Sequence, residues 1–131
     1  MENRDKNLLS MRPSLNLAMP TGSIERFQNN TLRPILKLQN DLILQICHHQ
    51  FIKRKEVFFQ LPKDEKLLYI ENQLDRDKQL KHLLFGILIG NFTISEWQFY
   101  KEHEQELRKR MTSLLIQRIQ SQSSLLSSNL N

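Results

Sequence analysis

The residues equipped to act as ligands, bases or nucleophiles are few: His48, His49, His82, His103, the lone Cys47, and the carboxylates Glu102, Glu104 and Glu106 around His103. Metal sites on helical bundles use inward-facing ligands at i, i+3 or i+4, as in Glu-x-x-His. Neither His48 nor His49 has a carboxylate at that spacing upstream, and Asp41 lies seven residues before His48. Around His103, Glu102 and Glu106 share a helix face that Glu104 does not, on an element whose buried stripe should run through Leu107 and Met111. A solvated face is the reading there. His82, beside the most apolar segment, reads as a histidine at the edge or in the core. Cys47 is followed by His48, but neighbouring helical residues point about 100° apart, so the two cannot form a thiolate–imidazolium contact. We expect Cys47 to be a small core residue, and we expect no catalytic residue, no metal and no cofactor, which leans against an enzyme.

Two basic clusters, Lys53-Arg54-Lys55 and Arg108-Lys109-Arg110, are the candidate anion or nucleic-acid contacts. Phosphate binding needs convergent charge, whereas three consecutive helical residues fan over roughly 200°. Recognition motifs of the zinc-finger, helix-turn-helix or stacked-aromatic kind are missing from the sequence. Gly86 and Gly90 have the GxxxG spacing that permits a close helix crossing, and Gly90 also fits just past a helix end. Trp97, Phe99 and Tyr100 follow directly and, with Met111 and Leu114, are the candidate interaction residues.

The elements that must position these residues read as helices. Thr31 fits as a cap, Pro34 falls in the first turn, and Ile35, Leu38, Leu42 and Ile46 recur at helical spacing, flanked by Leu36, Ile43 and Cys47. This predicts one helix over 32–54, roughly 34 Å long, with a short turn before it at 23–28. Pro62 with Asp64 and Glu65 opens a second helix buried through Leu67, Ile70 and Leu74. The run Asp75-Arg76-Asp77 offers a cap for a segment apolar almost all round, Leu80 to Leu88. Thr93 and Glu96 have capping-box spacing, and a last helix carries Leu107, Met111, Leu114, Leu115 and Ile119. Gly90-Asn91, between Ile87-Leu88-Ile89 and Phe92-Thr93-Ile94, also carries a hairpin signal. A lone hairpin is marginal, and the rest of the chain offers no strands.

The expected fold is therefore all-α, a compact bundle of four to five helices over 23–118. A flexible arm is expected at 1–22, where Leu15, Leu17 and Met19 alternate, and a fraying end and disordered tail at 119–131. With 131 residues the chain is one domain at most, and its 19 basic against 14 acidic side chains leave a net charge of +5, of which +4 is spread through residues 23–118. One cysteine excludes an intramolecular disulfide and favours the cytoplasm. Residues 1–9 lack the apolar stretch of an export signal, and 83–95 are too short to cross a bilayer, so no membrane is expected.

At Thr31-Leu32-Arg33-Pro34-Ile35-Leu36-Lys37-Leu38-Gln39-Asn40-Asp41-Leu42 and Gly86-Ile87-Leu88-Ile89-Gly90-Asn91-Phe92-Thr93 the chain resembles a group of short bacterial helical proteins that carry the name glyoxalase. The resemblance covers about residues 24–118. The name implies an enzyme of the glyoxalase type, but glyoxalase domains are βαβββ modules with a His/Glu metal site on strands, and no residue here matches such a ligand. The residues themselves point to an interaction module that self-associates as a homo-dimer or docks to a protein partner. An accessory nucleic-acid binder using the two basic clusters is the alternative.

Overall fold

Apolar residues at three- and four-residue spacing carry helix through almost the whole chain, and proline, aspartate and Gly-Asn positions punctuate it. A computed structural model describes residues 2–14, 23–54 and 57–127. Its elements are α1 (Glu2–Met11), α2 (Ser23–Phe27), a π-helical turn (Gln28–Leu32), α3 (Arg33–Leu38), α4 (Asn40–Lys53), a 3₁₀ turn (Val57–Gln60), α5 (Lys63–Arg76), α6 (Lys78–Gly90), α7 (Ile94–Glu102), α8 (Glu104–Ser121) and α9 (Ser123–Ser127). The fold is all-α, with more helices than the four or five expected. Among the described residues the hairpin signal at 87–94 is the turn between α6 and α7.

The single helix expected over 32–54 is two helices, α3 and α4, broken at Gln39, with a π-helical turn ahead of Pro34. Proline offers no amide hydrogen to the carbonyl four residues back and its ring crowds that carbonyl. Just ahead of it the Arg33 amide reaches back five residues to the Gln28 carbonyl. Thr31, expected as a cap, is buried inside this π-helical turn. At Gln39 the backbone leaves the helical range (φ −95°, ψ 9°), and α4 begins at Asn40. Its inward face is Ile43, Leu44, Cys47 and Phe51. Leu42, expected on the buried stripe, is exposed.

Both local caps follow the sequence. The Asp77 carboxylate accepts the Leu80 amide at 3.1 Å to start α6. Thr93 and Glu96 form the reciprocal capping box of α7. Gly90 is the last residue of α6 and not a left-handed cap beyond it, and a Cβ built at Gly86 or Gly90 meets no atom within 4 Å. The close crossing expected at Gly86 is therefore absent among the described residues. Where no element was expected at the N-terminus, Glu2–Met11 is helical, and at the other end helix continues to Ser127 with Ile119 and Leu126 buried. The alternating Leu15, Leu17 and Met19, Lys55, and the tail beyond 127 lie outside the described residues.

The chain divides into two compact units. Unit 1 comprises Met1–Gln39 and Phe85–Met111, and unit 2 comprises Asn40–Leu84 and Thr112–Asn131. In unit 1 the core is aromatic: Phe27 stands edge-on to Phe92 and stacks on Phe99 at 5.0 Å, and Phe92 meets Tyr100. In unit 2, Phe51, Phe58 and Tyr69 form a second aromatic cluster with centroids 4.8–5.6 Å apart. Leu74, Leu80, Leu115, Ile119 and Leu126 are buried in the same unit. There α9 packs on α4 and α5, and Asn40 joins it to Arg118 and Gln122 through side-chain hydrogen bonds of 2.7–3.1 Å.

Candidate docking surface

The expected interaction residues are mostly interior. Tyr100, Met111 and Leu114 are buried, and Phe99 lies between Phe27 and the His103 ring, stacked on the latter at 4.1 Å. His103 donates from Nδ1 to the Phe99 carbonyl at 3.0 Å, which fixes its tautomer, since a carbonyl only accepts. Only Trp97 keeps substantial exposure, 38%, with its ring stacked on Tyr100 and Lys101 above it. The apolar spacing was read correctly as a buried stripe, but a buried stripe has no surface left to offer.

The basic clusters do not present bare triplets of charge. Arg110 bonds Glu25, Gln28 and Glu106 at 3.1–3.3 Å. Arg108 lies over the Phe85 ring at 5.0 Å and is hydrogen-bonded to Tyr100, whose phenol burial pushes above its usual range, with Arg108 only partly offsetting the shift. Arg54 pairs with Asp77 at 2.6 Å. Burial works against the Asp77 carboxylate, yet the Leu80 amide and Arg54 together hold it below its ordinary value. Lys53 and Lys109 are exposed, on different units. Among the described residues no three His, Cys, Asp or Glu side chains are grouped to hold a metal ion, and no helix is long and apolar enough to cross a membrane. His49 and His82 are exposed, the latter contrary to its expected place at the edge or in the core. Burial pushes the Cys47 thiol up to about 12.

A polar latch in unit 1 was not anticipated. The Arg12 guanidinium grips both oxygens of Glu96 at 2.6 and 2.7 Å, with their side chains only 7% and 15% exposed. Thr31 donates to the same carboxylate at 2.7 Å and the Thr93 amide at 2.8 Å. Burial favours neutral Glu96, but these partners outweigh it and hold the carboxyl below its usual range. Arg12 also donates to the Asn91 carbonyl, and Arg4 to those of Gly90 and Phe92, so two cations satisfy carbonyls at the C-terminus of α6. Asp5 accepts the Ile94 amide. Helix α1 has no buried residue, so these bonds are what ties it down.

Among the described residues the outer face of α4, in unit 2, departs from a solvated pattern, as does that of α6, where residues 82–90 are uncharged and Leu83 is 50% exposed. Leu42, Gln45, His49 and Ile52 are all exposed, Leu42 by 49% and Ile52 by 40%, and their spacing sets them on one stripe about 15 Å long. From Leu42 through Ile52 no residue is charged. The outer faces of α5 and α8 carry charge: Lys63, Asp64, Glu65, Glu71, Asp75 and Arg76 on α5, and Glu104, Glu106 and Lys109 on α8. Beside the stripe, Asp41, Leu44, Gln45 and Leu125 line a groove of about 280 Å³ where α9 meets α4, and Leu125 is itself 49% exposed.

No known protein family matches the chain, and neither does any curated protein or solved structure.

Proposed function

We propose that the protein is a small helical interaction module whose docking face is the outer stripe of α4, extended by Leu125. The observation that carries this reading is the exposed stripe of Leu42, Gln45, His49 and Ile52 within a run, Leu42 to Ile52, that has no acidic residue, lysine or arginine. Leu42 and Ile52 stand at the two ends of this stripe with the polar Gln45 and His49 between them, a face against which an amphipathic partner helix can seat. A solvated helix face would interrupt such a stripe with charge, as α5 does. The aromatic residues of α7 and the apolar stripe of α8 serve the core in this account, and Arg54, Arg108 and Arg110 are engaged within their own units.

Capture of interacting proteins on the immobilised full chain tests it, run in parallel with a Leu42→Asp/Ile52→Asp variant of the same helical content. The expected result is a set of proteins, copies of this chain included, held by the wild type and released by the variant. Retention indifferent to both substitutions refutes α4 as the docking face.

A further inference from the structure

We propose that α1, with Arg12 just beyond it, is a detachable strap: polar bonds alone latch it to the turn between α6 and α7, and it lets go as one piece when Glu96 is protonated, while the rest of unit 1 stays folded. The proposal is independent of the reading of α4. Helix α1 has no buried residue. Leu9 and Met11, the side chains that could have anchored it, are 53% and 54% exposed, so undocking forfeits little apolar burial. What holds the strap is a set of bonds to one short stretch of chain. Arg4 donates to the carbonyls of Gly90 and Phe92 at 3.1 and 2.9 Å, Arg12 donates to that of Asn91 at 2.6 Å, and Asp5 accepts the Ile94 amide at 3.3 Å. Cations thus lie on the last carbonyls of α6 and an acid on the first amide of α7, the sign each helix end favours. Water can take over every one of these backbone groups once the strap leaves.

Glu96 is the group on which the latch turns. Its carboxylate faces Arg12 from the strap, Thr31 from the π-helical turn and the Thr93 amide at the start of its own helix. The π-helical turn carries no charged residue, and Arg12 is the one charged partner of Glu96 among the described residues. Arg4 and Asp5, the other strap charges that reach this turn, pair with each other. Taking the charge from Glu96 leaves the Arg12 guanidinium buried without a counter-charge, a cost that is escaped by moving it into water. Arg12 Nε already lacks a hydrogen-bond partner in the docked state, so release also satisfies a stranded donor. Isolated helices shorter than about 12–15 residues are marginal in water, and α1 has ten, so undocking and unfolding of the strap are one event. The partners of Glu96 hold its carboxyl below 4.5. Docking is therefore complete above that value and is lost as pH falls through the folded one.

Amide hydrogen exchange of the full chain, read residue by residue by NMR and expressed as protection over an unstructured peptide, tests the proposal. At pH 7 the wild type should protect the amides of Lys6 to Met11 roughly tenfold or more, and those around Tyr100 far more strongly. At about pH 3, below the ordinary carboxylate range, the α1 amides should lose their protection while those around Tyr100 keep at least roughly a hundredfold. Glu96→Gln should produce the same pattern at pH 7 without acid. Glu2→Gln, which removes a carboxylate of α1 outside the latch, should leave it as in the wild type. Loss of protection around Tyr100 together with that of α1, in acid or in Glu96→Gln, overturns the strap as a separate unit. Protection of α1 that survives both perturbations overturns Glu96 as its latch, and α1 amides unprotected in the wild type at pH 7 overturn the docked state itself.

Discussion

Substituting Glu96→Gln isolates the latch of unit 1. The amide keeps the shape of the carboxyl and can still accept one bond, but it leaves the Arg12 guanidinium, 7% exposed, without a counter-charge, and Arg12 Nε already lacks a hydrogen-bond partner. Removing one member of a buried ion pair costs about 3–5 kcal/mol. Since Glu96 retains 15% exposure and Asn91 still accepts from Arg12, the lower end applies: about 3 kcal/mol at pH 7, or roughly 10 °C of melting temperature for a chain of this length. Trp97, the one tryptophan, sits next to the substitution, so its fluorescence reports unit 1 directly. Acid supplies the second half of the test. Glu96 titrates lower in the folded protein than its ordinary 4.5, so the folded state binds fewer protons. The stability it contributes is full above that ordinary value and is lost as pH falls through the folded one. The amide of the variant does not titrate and has nothing to lose there. The gap between wild type and variant should therefore be widest at neutral pH and shrink on acidification below about 4. Equal melting temperatures at pH 7, or a gap that acid leaves unchanged, would refute the reasoning.

Other expectations follow from the same geometry. Gly86→Ala should raise stability by about 0.5–1 kcal/mol in denaturant unfolding, because the residue is inside α6 and a Cβ there meets nothing within 4 Å; a loss would mean that the face is closely packed. Cys47, with its thiol pushed up to about 12, should resist a thiol reagent at pH 8 in the folded protein and react once denaturant is added; rapid labelling of the native chain would contradict its burial. Met111→Ala should cost about 3 kcal/mol as a core truncation, whereas Trp97→Ala should cost about 1 kcal/mol, its stacking on Tyr100 being largely what is lost. Comparable losses at the two positions by chemical denaturation would show that burial had been misassigned.

What the sequence made legible is what neighbouring residues decide. The Thr93–Glu96 capping box and the Asp77 cap need only three-residue spacing, and both are present. The all-α class follows from spacing sustained along the chain. The break at Gln39 was harder to read, because it comes from a backbone conformation that no local motif announces, and Leu42, expected in the core, is exposed. The latch was beyond a local reading, because Arg12 and Glu96 are 84 residues apart and meet only when the chain folds. The partners of the arginines in the basic triplets were hidden for the same reason. Arg110 finds Glu25 and Gln28, and Arg54 finds Asp77, through packing. The α4 stripe could have been noticed as an uncharged run of eleven residues, but only burial distinguishes its outward Leu42 and Ile52 from its inward Ile43 and Phe51.

Methyl NMR of the full chain, titrated with a protein retained in the capture experiment, tests the docking face most directly. The account predicts that the methyl signals of Leu42, Ile52 and Leu125 move together with a single midpoint, while those of Leu68 and Leu83 stay fixed. Movement centred on Leu68 or Leu83, or no movement up to the highest concentration, would contradict docking through the outer stripe of α4.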